Sequence, residues 1–180
     1  MEISSVLQGI GVFIFGVLAH LSPTSFPSSP PTCPIIQETR EVRGDSMTPL
    51  IPDGQMIQLL SGYYACHPLE RNDVVVLQDA SDTTPLIKMV RALGGDALHL
   101  AQVDGGWQIR INDQVLLTSD GRPYLLDDQR SQMLRLYEDD YHGVIPQGTI
   151  IVLGDHPGGT LDSTRFGLVS QKEILGKVQW

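Results

Sequence analysis

The sequence predicts a mainly β domain held behind an N-terminal apolar segment. Three observations carry this reading. Residues 3–37 contain no Asp, Glu, Lys or Arg. Beyond them, the apolar runs are short and separated by turn signals, the pattern of strands rather than helices. Only Ser131–Tyr137 reads as a short helix. At 180 residues the chain has the length of one domain with a real core. Its formal net charge of −9 argues against a nucleic-acid partner, since phosphate binding needs a basic stripe.

Taken in order, Ile3–Leu21 would reach about 28 Å as a helix, enough to cross a bilayer. Glycines at 9, 11 and 16 suit a membrane helix better than a soluble one. A cleaved signal peptide is the rival reading. No basic residue precedes the run and the small-x-small pattern near Ala19 is poor, which favours a retained anchor over residues 1–21. Residues 22–34 are rich in Ser and Pro and read as an extended spacer. The β-rich domain then occupies 35–180. Its expected strands are Gln37–Val42, Met56–Leu60, Asp73–Gln78, Leu86–Ala92, Leu98–Val103, Trp107–Ile111, Thr149–Leu153 and Glu173–Val178. Cys33 and Cys66 lack zinc-ligand spacing. They are either a disulfide in an oxidising compartment or two inert thiols, and spacing alone leaves both open.

The stretch Arg43-Gly44-Asp45-Ser46-Met47-Thr48-Pro49-Leu50 cannot run on as a helix, because Pro49 biases Thr48 away from the α region. Gly44 permits a tight turn before Ser46, so the hydroxyl and its own amide are able to face one cleft. A serine hydroxyl is a weak nucleophile and needs a base. The chain has three lysines, Lys88, Lys172 and Lys177. Lys88 shares a strand face with Leu86 and Val90. Burial there would disfavour the ammonium and make the amine usable as a base. The competing reading is a lysine that lays its stem on the sheet and extends its head to water. Among the histidines, His156 follows Asp155, and neighbours in an extended segment point to opposite faces. A Ser-His-Asp triad is therefore the weaker assignment. Arg71 and Asp73 are expected to cap or pair at the start of the Asp73–Gln78 strand. Asp127-Asp128 and Asp139-Asp140 read as solvated charge. Gly154–Gly167 reads as a polar, glycine-rich loop able to bring hydroxyls and carboxylates back to a site built on the strands.

In this order the pieces resemble the bacterial type I signal peptidases, membrane-anchored Ser-Lys proteases of the S26 family. The resemblance runs from about Glu41 to Lys177. Ser46-Met47-Thr48-Pro49 is similar to the family's Ser-Met-x-Pro. Arg71-Asn72-Asp73-Val74-Val75 resembles Arg-Gly-Asp followed by an apolar strand. Lys88 through Asp96 follows the family's lysine segment with lysine and aspartate in register. Ile111-Asn112-Asp113 resembles the Ile-Asn-Gly turn. Gly154-Asp155, Asp162-Ser163 and Gly167 resemble its final block, and Ile174–Lys177 its close.

The resemblance implies a coiled β-sheet catalytic domain, Ser46 as nucleophile, Lys88 as base, and the Ser46 amide, helped by Gly44, at the oxyanion. It further implies that the Thr160 hydroxyl holds the lysine, that Asp155 and Asp162 support the loop, and that neither cofactor nor metal is needed. The implied partners are exported preproteins and the lipid bilayer, with the catalytic domain extracytoplasmic. This sequence departs at His156 (Asn in the family), Gly94 (Pro), Met89 (Arg) and Thr164 (Arg, with Arg165 one place late). An Asp162–arginine pair would here need a shifted backbone or be absent. Two alternatives stand beside preprotein processing: a maturation peptidase dedicated to one secreted or pilin-like substrate, and a non-catalytic module that binds signal peptides. A self-cleaving repressor would need a DNA-binding segment that the sequence lacks.

Overall fold

A computed structural model describes residues 33–78, 84–156 and 158–180. The anchor expected over 1–21 and most of the spacer over 22–34 lie outside these residues. Among the described residues no helix is long and apolar enough to cross a membrane.

The domain is mainly β. Strands β1 (Ile36–Glu41), β2 (Met56–Ser61), β3 (Val74–Leu77) and β4 (Leu86–Leu93) belong to one large sheet with β9 (Thr149–Leu153), β10 (Val169–Ser170) and β11 (Ile174–Gln179). Their spatial order is β1-β2-β11-β3-β4-β9-β10, with every pair antiparallel. A smaller sheet joins β5 (Leu98–Val103), β6 (Gly106–Ile111) and β7 (Gln114–Val115), and β8 (Leu125–Leu126) also pairs with β6.

The apolar runs become central strands because burial on both faces rewards them. In β9, Ile150 and Val152 enter one apolar cluster with Val75, Leu77 and Val90. Ile151 and Leu153 enter another with Leu98, Ile109 and Leu134. Each such side chain contributes about 1.5–3 kcal/mol when fully buried. Strand β4 serves both of these clusters through Val90 and Ala92, and a third through Met89. A register shift between Val90 and Ala92 leaves Arg91 as the extra residue of a bulge three positions after Lys88.

Helix α1 (Asp128–Asp140) is longer than the Ser131–Tyr137 expected, because Asp127 caps it by accepting the Arg130 N–H at 2.8 Å. Asp128 accepts from Trp107 Nε1 at 2.9 Å, so this acidic pair is structural rather than merely solvated. A short helix α2 (Ser163–Phe166) falls inside the stretch read as a loop. Arg71 pairs with Asp96, not Asp73. Asp73 takes Lys177 and the Tyr64 hydroxyl instead. Cys33 and Cys66 form a disulfide that ties the start of β1 to the turn after β2.

Candidate active site

Ser46 is presented by a turn whose two ends are pinned. Gly44 has φ +92°, a left-handed conformation that glycine adopts without penalty, and its N–H donates to Asp53 Oδ1 at 2.7 Å. On the other side Met47 and Ile51 are wholly buried and act as apolar anchors, with Ile51 N–H donating to Met47 O at 2.8 Å. The Ser46 carbonyl accepts from the Asp155 N–H at 2.8 Å and the His156 N–H at 3.3 Å. Both donors extend from the end of β9. Glycine is required at 154 for this approach: a Cβ there would lie 2.5 Å from Ser46 O and 2.4 Å from Thr160 Oγ1. The N–H of Ser46 itself has no partner among the described residues.

Lys88 projects from β4, where Val75 of β3 is its register partner. It is 2 % exposed, so the buried reading holds over the water-exposed one. Its Nζ lies 3.0 Å from Ser46 Oγ and donates to Ile87 O at 2.8 Å. Burial lowers its pKa to about 8, with the Asp162 carboxylate pulling weakly the other way. The neutral fraction near physiological pH is thus far larger than for a solvated lysine, though the ammonium still predominates.

Asp162 is a hub. It caps α2 by accepting from Thr164 N–H at 3.0 Å, and it also accepts from Thr164 Oγ1 at 2.7 Å, Thr160 Oγ1 at 2.6 Å and Gly154 N–H at 3.1 Å. One expectation is met differently: the Thr160 hydroxyl donates to Asp162, and no hydrogen bond joins it to Lys88 among the described residues. Of the two outcomes expected for an Asp162–arginine pair, the structure has the absent one: Arg165 is exposed, and the Thr164 hydroxyl and amide donate to Asp162.

Asp155 is fully buried and accepts from Ser119 N–H at 2.8 Å and from the Ser119 hydroxyl. It turns away from the His156 ring, whose Nε2 lies 3.7 Å from Asp45 Oδ2. The opposite-face argument against a triad therefore matches the geometry. Ser119 and Tyr124, whose hydroxyl donates to Gly154 O at 2.8 Å, were not identified from sequence. Their partners lie 36 and 30 positions away, and no local pattern marks such a reach.

A mainly apolar groove of about 390 Å³ is lined by Val42 at the end of β1, Ile57, Leu59, Val76 and Ile87, with Arg40, Glu41, Arg43 and Thr84 also on its walls. Val42 leads into the Ser46 turn, and Ile87 is the residue before Lys88.

A serine within hydrogen-bond reach of a buried lysine, on a β scaffold that also carries an apolar groove, is the constellation of a serine endopeptidase. Comparison with known proteins gives the family. The profile described as signal peptidase, peptidase S26, matches residues 32–180. Signal peptidase I of Bacillus caldolyticus is 30% identical over 146 residues, covering 77% of this chain and 75% of that protein. Signal peptidase IB of Staphylococcus aureus strain COL is 27% identical over 157 residues, covering 77% and 74%. Among solved structures, a signal peptidase I from Enterococcus faecalis V583 aligns with a TM-score of 0.43 and 20% identity, over 63% of this chain and 98% of that one. The chain belongs to the signal peptidase family, peptidase S26.

Proposed function

We propose that this protein removes signal peptides from exported preproteins with Ser46 as nucleophile and Lys88 as its base. The observation that carries the reading is the 3.0 Å approach of a 2 % exposed lysine to the serine hydroxyl. Neutral Lys88 accepts the Ser46 proton as Oγ bonds to the scissile carbonyl carbon. The carbonyl oxygen becomes an oxyanion, for which the N–H of Ser46, without a partner among the described residues, is a donor left free. On collapse the C–N bond breaks and the Lys88 ammonium gives its proton to the leaving amine. The same lysine then accepts a proton from water as the water oxygen bonds to the acyl carbon, the acyl–Oγ bond breaks to release the carboxyl product, and the proton returns to Ser46 Oγ. Asp162, Thr160 and Asp155 act as positioning residues. They hold the Gly154–His156 segment against the Ser46 carbonyl. The apolar groove suits the small residues that precede the cut.

Residues 1–21 serve as a single-pass anchor, 22–34 as the spacer, and 35–180 as a catalytic domain on the extracytoplasmic side. The Cys33–Cys66 disulfide supports that side, since such bonds persist where the environment is oxidising. Cleavage of a preprotein by the full chain in detergent tests the reading. Ser46→Ala and Lys88→Ala should each abolish cleavage while the folded signal in circular dichroism persists. Activity in either variant would overturn the assignment.

A further inference from the structure

A second cavity, about 170 Å³, has a mixed lining that includes two arginines. Arg122, Arg130 and His156 line it together with Thr118, Pro123, Tyr124 and Leu125. The chain is acidic overall, with 21 Asp and Glu against 12 Lys and Arg, so cations gathered around one small cavity call for a reason. Arg122 is paired with Asp120. Arg130 is not paired. Its guanidinium has neither an ion pair nor a hydrogen bond among the described residues, and its Nε is buried without a partner. On its own helix, Asp127 serves as the cap through Arg130's own N–H and Asp128 accepts from Trp107; Asp45 lies against His156 Nε2 at 3.7 Å and makes no ion pair with Arg130 among the described residues.

The Arg130 guanidinium is nonetheless held in place. It packs on Gly159 so closely that a Cβ there would lie 2.3 Å from Cζ. A cation ordered by packing but left without an anion is pre-organised for one, because guanidinium recognises carboxylate through paired N–H donors. His156 is already engaged: its Nδ1 accepts the Gly158 N–H at 3.1 Å and its Nε2 faces Asp45 Oδ2 at 3.7 Å, so the donor left for a ligand is Arg130.

The position of the cavity says which part of a ligand would reach it. The apolar groove adjoins Val42 and Ile87, flanking the reactive pair, and takes the segment before the cut. The cationic cavity adjoins His156, whose amide grips the Ser46 carbonyl. Resting on the peptidase reading above, we infer that this cavity receives a carboxylate side chain of the substrate within the first few residues after the scissile bond. Arg130 is then a specificity-determining residue for the mature end of the preprotein.

Synthetic preprotein peptides test this, with Asp, Asn or Lys placed in turn at each of the first three positions after the cut. The full chain in detergent should cleave the Asp peptide at one of those positions about tenfold better in kcat/KM than its Asn counterpart, the size of one charge-assisted contact. Arg130→Gln should bring that ratio close to one, Arg130→Lys should restore part of it, and Arg130→Glu should shift preference to the Lys peptide. A wild type without charge preference, or a preference that survives Arg130→Gln, overturns the inference and leaves the peptidase reading standing. So does flat peptide preference combined with Arg130-dependent binding to phosphatidylglycerol vesicles over phosphatidylcholine ones, which would assign the cavity to a lipid headgroup. Failure to cleave any peptide, uncharged ones included, overturns both.

Discussion

Lys88 is a buried cation precursor, and two measurable consequences follow from its burial. If it is the base, as proposed above, it must be neutral to act, so activity should rise with pH through a limb centred near 8, set by the lowered pKa. A limb near 10.5 would mean that the amine is solvated in the working enzyme. The second consequence concerns stability. The folded pKa lies below the unfolded value, so the folded state binds fewer protons between about 8 and the ordinary lysine range. Stability therefore rises with pH across that window, and the full cost of burying the amine is felt below it. Lys88→Met should remove that cost and raise stability at pH 7 by about 2 kcal/mol while abolishing cleavage, read from urea unfolding and peptide hydrolysis. Equal or lower stability would show that the amine is well solvated by relaxation of its surroundings. Ser46 and Lys88 were legible in the sequence because each carries a short-range signature, a Gly-x-Ser turn before a proline and a lysine between apolar strand neighbours. Thr160 was legible as a position but its partner was not, because only the fold decides that its hydroxyl serves Asp162.

At the level of elements, the site depends on how the end of β9 meets the Ser46 turn. Gly154 is the point of closest approach, and the Asp162 hub and the Ser119–Asp155 bond fix it from both sides. Gly154→Ala should push Ser46 and Thr160 apart by a substantial fraction of an ångström. Misplacement of that kind costs on the order of 100-fold in rate, so kcat should fall by about that factor while the melting profile still reports a cooperative fold. Wild-type kcat in this variant would show that the clamp is not needed. Strands β5 and β9 were legible to the residue, because glycine or polar turns bound an apolar or alternating run. The two-residue strands β7, β8 and β10 were not, since two residues carry no periodicity. Helix α2 was hidden for a related reason: at four residues, it is defined by the cap that Asp162 provides rather than by an apolar face.

Across the whole described domain, the Cys33–Cys66 disulfide is the one covalent tie between distant positions. It spans a sequence separation of 33 and fastens β1, an edge strand whose residues are largely exposed, to the turn after its only sheet neighbour, β2. An exposed edge strand has little burial to hold it, so loss of the bond should fray β1 first and the central strands β3, β4 and β9 last. Closing a loop of this size stabilises the chain by about 3–4 kcal/mol in the chain-entropy picture. Because β1 runs directly through Val42 into the Ser46 turn, fraying would also loosen one wall of the apolar groove. Cys33→Ser with Cys66→Ser should therefore lower the melting temperature and raise KM for preprotein peptides, leaving kcat closer to wild type because Lys88 and the β9 clamp belong to central strands. Hydrogen exchange should show amide protection lost in β1 and kept in β4. A fall in kcat at unchanged KM, or protection lost uniformly, would mean that the bond supports the catalytic strands themselves and not the edge.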